Sequence, residues 1–174
     1  MKLFRWKTKR VLAIDPSTRG FGFAILEGQR AATDWGVKSV EGKNKNERSL
    51  KLVDGLIAQY SPDVVVVEDY SGKGSRRAER IQSLIEGIMA LALNRGATVK
   101  RFSRAEVRGA FVSLGAATKH QIAVAIASEF PELTPRLPPL RKIWMSEDYR
   151  MSIFDAFALG LTYYGSAAKR KMAA

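Results

Sequence analysis

The chain has 174 residues, 46% of them apolar and none of them cysteine, which suits one domain with a sizeable core and excludes disulfides and thiolate-bound zinc. Lys and Arg number 29 against 17 Asp and Glu, a net charge of +12 that favours a polyanionic partner. No apolar run nears the roughly 20 residues of a membrane span, and the basic stretch 1–10 lacks the apolar core of a secretory signal, so a cytoplasmic location without a membrane partner is expected.

Residues 11–14 (Val-Leu-Ala-Ile) read as a buried strand that ends in a carboxylate, Asp15. A tight turn from Pro16 to Gly20 leads into a second strand at 20–26, and 31–40 reads as a third, with Trp35 and Val37 on one face. After a polar loop at 41–46, the apolar spacing predicts a helix over 47–60. Ser61-Pro62-Asp63 breaks the chain. Val64 to Val67 then form the unbroken β-branched run of a strand covered on both faces, and this run also ends in an acid, Glu68. A Gly-rich basic loop at 71–77 precedes a helix over 78–94 that Gly96 ends, and 97–102 is a short strand. Two capping boxes, Ser103-x-x-Glu106 and Thr118-x-x-Gln121, start further helices. Residues 131–142 hold four of the six prolines and read as a loop; a last apolar helix passes through 153–161, and the basic end, with Lys169, Arg170 and Lys171, is expected to fray. This order predicts an α/β fold with a mixed five-stranded sheet: a three-strand antiparallel meander plus parallel strands reached through helical crossovers, flanked by helices.

Three carboxylates stand in apolar settings. A buried carboxylate is costly unless it is paired, hydrogen-bonded or bound to a metal. If the strands at 11–14 and 64–67 are parallel neighbours, Asp15 and Glu68 emerge at the same carboxyl edge, where open α/β sheets place ligands. Asp155 is the only charge between 151 and 165. Together the three would repel one another unless a cation sat between them, and oxygen-only ligands suit Mg2+ or Mn2+. Each acid also has a plainer reading: Asp15 as a cap of its turn, Glu68 as the partner of an arginine, Asp155 as the partner of a Lys or Arg from another element. Lys119 sits in the first turn of a capped helix, where free amides and the dipole already favour phosphate. Tyr70 is a candidate to stack on an unpaired base, though it reads equally as a half-buried core tyrosine. Lys73, Arg76 and Arg77 are candidates to track phosphates, and His120, the only histidine, is expected to serve as a surface or hydrogen-bonding group.

Four segments, in order, resemble the signatures of the RuvC-type Holliday-junction resolvases, within the ribonuclease H-like nuclease superfamily: LAIDPSTRGFGFAIL with Asp15, PDVVVVEDY with Glu68, VRGAFVSLGAATKHQI with Arg108 and Lys119, and FDAFALGLTYY with Asp155. The resemblance covers roughly residues 10–165. It implies a ribonuclease H-like nuclease domain at 11–165 between a basic N-terminal extension (1–10) and a basic C-terminal tail (166–174). It further implies a homodimeric, Mg2+-dependent endonuclease, with Mn2+ as a substitute, that cuts four-way or other branched DNA by paired nicks. Asp15, Glu68 and Asp155 would hold metal, Lys119 would assist catalysis and Arg108 would contact nucleic acid, while the helix at 78–94 would carry the dimer contact. One position departs from the pattern: three residues before Asp155, where the family carries a fourth acid or a histidine, stands Ser152. Asp148 lies seven residues before Asp155, too far along a helix to grip the same ion directly. Two alternatives follow: a related RNA-processing nuclease, and a catalytically weak or silent module that binds branched nucleic acid.

Overall fold

The structure is a computed structural model that describes residues 8–72 and 76–173; Lys73 and residues 1–7 of the basic N-terminal extension lie outside the described residues. Five strands, β1 (Val11–Ser17), β2 (Gly20–Leu26), β3 (Ala32–Ser39), β4 (Val64–Glu68) and β5 (Thr98–Phe102), form one sheet in the order β3-β2-β1-β4-β5. β1, β2 and β3 are the antiparallel meander, and β4 and β5 run parallel to β1, as the element order requires. Side chains alternate between the faces, so each strand feeds two cores. Leu12, Ile14, Val65 and Val67 pack under α1 (Lys45–Tyr60) and α2 (Glu79–Asn94). Val11, Ala13, Val64 and Val66 pack under α3 (Arg104–Phe111), α4 (Lys119–Glu129) and α5 (Met151–Ala173). Trp35 and Val37 both lie against this second core.

Several local signals act as read. α2 ends in a Schellman motif: Gly96 has φ +80°, its N–H donates to Leu93, and Ala97 N–H reaches back to Ala92. Both capping boxes are formed in full, at Ser103 and at Thr118. The buried apolar residues of α2, among them Ile81, Leu84, Ile85 and Ile88, are absorbed by the sheet and α1, while Leu93 near its end stays exposed.

The structure corrects three boundaries. β1 runs on to Ser17, so Asp15 lies inside the β1–β2 ladder opposite Gly22, with a turn of only Thr18 and Arg19 joining the strands. Residues 131–136 form a 3-10 helix, not open loop, because Pro131 at its start suits a helical φ. The basic end does not fray. α5 continues to Ala173, with Ala167 and Ala168 as strong helix formers and Arg170 and Lys171 favourably placed in the last turn.

α5 lies unusually close to the sheet, and two glycines allow it. A Cβ on Gly22 would stand 2.2 Å from the Ser152 carbonyl oxygen, and one on Gly160 would stand 2.6 Å from Leu26 Cδ1. This approach brings the N-terminal half of α5, with Asp155, against the strand that carries Asp15.

Candidate functional site

β1 and β4 pair in parallel through Val11–Val64, Leu12–Val65 and Ala13–Val66, and the pairing stops there. The same register carried forward sets Asp15 opposite Glu68 at the edge where the two strands part. Both side chains point to the α3–α5 face and both residues are buried, 6% and 4% exposed. Asp155, one turn into α5, joins them in a cleft that Arg77, Lys119, Arg104 and Arg108 also line, with Phe102 and Leu159 as its apolar wall. The three predicted acids and Lys119 therefore share one cleft at the carboxyl edge of the parallel strands.

Three side-chain cations hold the acids. Arg77 enters the gap where β1 and β4 part. Its Nη2 donates to Asp15 Oδ1 at 2.7 Å, its Nε to Glu68 Oε2, and its Nη1 to the Pro16 carbonyl at 3.0 Å. Arg104 donates from Nε to the other Glu68 oxygen at 2.8 Å. Lys119 pairs with Asp155 at 2.8 Å and with Glu147. The plainer readings of Glu68 and Asp155 as ion-pair partners are thus realised in this state, and Asp15 is met by Arg77.

The electrostatics follow from burial. Burial, then the neighbouring Asp15 charge, pushes Asp155 up to about 7 against the pull of Lys119. Burial also raises Asp15, with Arg77 and Lys119 opposing it and Glu68 adding to it. Desolvation works against the charges of Arg77 and Lys119, but the acids outweigh it: Arg77 is held above the ordinary arginine value, and Lys119 is raised to about 12.

The other predicted residues separate. Arg108 lines the cleft and is exposed. Arg76 is exposed, whereas Arg77, expected to track phosphates, is turned inward onto the acids. Tyr70 sits on the opposite side of the sheet, its ring against the α1–α2 core and its hydroxyl donating to Glu86. This matches its reading as a half-buried core tyrosine. Lys73 is outside the described residues. His120 is 3.2 Å from the Pro138 carbonyl, a hydrogen-bonding role as expected. Ser152 is buried and donates to the Tyr149 carbonyl at 2.7 Å. Asp148 precedes α5 and is bound to Arg150.

Sequence reading missed Arg104 and Glu147. Arg104 was legible in principle: it opens a capped helix directly after β5, so it must surface at the same sheet edge as Glu68. Glu147 carries no local signal.

Among the described residues no group of three acids or histidines stands ready to hold an ion as the side chains lie. The donor set nonetheless fits a hard divalent cation: every donor is a carboxylate oxygen, two of the acids are pushed toward protonation by burial, and a guanidinium and an ammonium already occupy the space between them.

Comparison with known proteins identifies the family. The family model described as crossover junction endodeoxyribonuclease RuvC matches residues 11–139. Among curated RuvC proteins, that of Akkermansia muciniphila is 30% identical over 166 residues, covering 91% of this chain and 92% of its own. That of Geobacter sp. (strain M21) is 28% identical over 160 residues, covering 87% and 94%. The fold is that of Thermus thermophilus RuvC solved with a Holliday junction substrate (TM-score 0.66, 15% identity, 92% of this chain and 96% of that one). It is also that of the yeast mitochondrial Holliday junction resolvase Ydc2 (TM-score 0.59, 16% identity, 95% and 84%). Family match, relatives and fold agree with one another, and this chain belongs to the RuvC family of crossover junction endodeoxyribonucleases.

Proposed function

We propose that this chain is a divalent-metal-dependent endodeoxyribonuclease that resolves four-way and other branched DNA by paired nicks, one from each subunit of a homodimer, with residues 11–165 as the working unit. The observation that carries the reading is the juxtaposition of Asp15 and Glu68 on parallel strands, with Asp155 brought to the same cleft by the close approach of α5. These three acids would hold the metal. Mg2+, or Mn2+ in its place, supplies Lewis-acid stabilisation of the charge that builds on the phosphate.

The chain's own residues do the rest. Arg77 must give up Asp15 and Glu68 before they can turn to an ion, and its guanidinium is then available to a phosphate oxygen in the same cleft. Lys119 opens α4, so its ammonium and the first-turn amides both face the position where negative charge develops. Arg104 and Arg108 line the cleft and would position the backbone. Arg76, exposed beside them, extends that basic track toward the adjoining DNA arms.

One observation favours a second reading, a silent junction-binding module: the position three residues before Asp155 offers only Ser152, whose hydroxyl is turned to the Tyr149 carbonyl. The test is a labelled four-way DNA junction incubated with Mg2+, Mn2+ or EDTA, beside the matched linear duplex and an RNA hairpin. The expected result is paired nicks on the junction alone, lost in EDTA. Asp15→Asn should lower nicking by about 10²–10³-fold or more while junction binding persists. Binding without cleavage in either metal selects the silent module, cleavage of the hairpin selects the RNA nuclease, and an Asp15→Asn variant that cuts like wild type removes the proposed metal site.

A further inference from the structure

The segment between the 3-10 helix and α5 is built unlike an ordinary surface turn. Met145 N–H donates to the Lys142 carbonyl at 3.0 Å, closing a turn with Ile143 and Trp144 at its two central positions. Such positions normally carry Gly, Pro, Asn, Asp or Ser. Here Ile143 is 96% exposed and Trp144 80% exposed, with Leu140 at 72% just before them. Large apolar groups displayed at a turn tip signal a binding role. The family match ends at residue 139, so it does not cover this tip.

The base of the segment is held by the site itself. Pro138 meets His120 of α4, Glu147 pairs with Lys119, and Tyr149 lies under the Arg19 guanidinium of the β1–β2 turn at 5.6 Å. Trp144 is three residues from Glu147, at most about 11 Å of chain, so the tip stands close to the cleft that holds Asp155. The two acids of the segment are already occupied, Glu147 by Lys119 and Asp148 by Arg150. Arg141 and Lys142 are exposed beside the tip, and the Lys142 ammonium lies over the Trp144 ring at 5.4 Å.

We propose that the Lys142–Met145 turn is a wedge: Ile143 and Trp144 enter the branch point of the DNA, where Trp144 stacks on an unpaired base while Arg141 and Lys142 meet the flanking phosphates. An apolar wedge between bases and an aromatic platform for an unstacked base are both known ways for proteins to engage open DNA. A linear duplex offers no unpaired base, so the wedge selects branched over straight DNA. A second protein copy fits less well, because a two-residue tip falls far short of the roughly 800 Å² per partner of a stable interface, and its neighbours are basic. The inference rests on the reading of the cleft as a branched-DNA site.

The test uses the full chain in EDTA, where cleavage does not interfere. Wild type, Trp144→Ala, Trp144→Phe and Ile143→Ala/Trp144→Ala are titrated with a four-way junction and with the matched duplex, and 5-iododeoxyuridine is placed at the branch point or mid-arm for photocrosslinking. These side chains are exposed, so the variants should melt with wild type. Trp144→Ala should lose about tenfold in junction affinity with duplex affinity within twofold; Trp144→Phe should keep most of it, and the crosslink should map to Trp144 only from the branch point. Unchanged junction affinity, equal loss on both DNAs, or a change in sedimentation that makes the tip a contact between copies would each overturn the wedge. A wild type that does not prefer the junction instead overturns the underlying reading of the site.

Discussion

The two halves of the site hold their acids in opposite ways. Asp15 and Glu68 sit side by side in the sheet, nearly closed from solvent, and are sealed by Arg77, itself only 19% exposed at the side chain. Asp155 is 21% exposed at the side chain, its partner Lys119 51% and Glu147 45%, so that half is the more open of the two, although Asp155 itself is desolvated enough to be raised to about 7. The sealed half is held by two guanidiniums, Arg77 on both acids and Arg104 on Glu68 alone. The open half can exchange partners at little cost, which suits the side that must admit a phosphate. A buried pair that loses its counterion is left with an uncompensated charge, whereas an exposed pair loses little.

The strongest way to break the comparison is Arg77→Ala. In EDTA it should destabilise the fold by about 3–5 kcal/mol, the scale of opening a buried ion pair from one side. Mg2+ should restore more stability to the variant than to wild type, because the ion replaces the missing guanidinium. Denaturant unfolding with and without Mg2+ checks both; a variant as stable as wild type in EDTA would show that the half is not sealed.

Lys119→Met probes the open half and should act on chemistry more than on folding. Nicking should fall by about 10–100-fold in kcat, with a smaller change in KM, since the ammonium faces charge that develops only during reaction. Thermal unfolding should barely move. A large loss of stability with kcat unchanged would reverse the roles given to the two halves.

A pH dependence sharpens the comparison further. Asp155 is raised from 3.8 to about 7 in the folded protein. The native state therefore holds a proton that the unfolded state has released. The resulting contribution to stability is fully present below about pH 3.8, declines as pH rises toward 7, and is constant above it. Unfolding in EDTA between pH 4.5 and 8 should show this decline, and Asp155→Asn should flatten it. An identical slope in the variant would mean that Asp155 is not the group that titrates.

Most of the fold was readable because its signals are local. The β-branched run at 64–67 needs cover on both faces, the capping boxes at Ser103 and Thr118 satisfy their own amides, and Gly96 takes the positive φ of a Schellman end. The basic end was misjudged because charge suggested fraying, while Ala167 and Ala168 sustain the helix. Tyr70 shows the limit on the site side: its place after the acid was plain, but strand alternation would put it on the face of Glu68, and only the turn past the end of β4 carries it toward α2.

By itself the sequence determined the strand and helix order, the mixed sheet that this order forces, and the three acids whose apolar surroundings demand a counter-charge. Each of these depends on neighbours a few residues away. Only the tertiary structure decided which counter-charge answers each acid. Arg77, Arg104 and Lys119 reach their partners across 62, 36 and 36 residues of chain, and Glu147 meets Lys119 from 28 residues on. Pairings of that kind are set by the gap where β1 and β4 part and by the close seat of α5 over Gly22 and Gly160. Those are matters of packing in space, which no local pattern along the chain records.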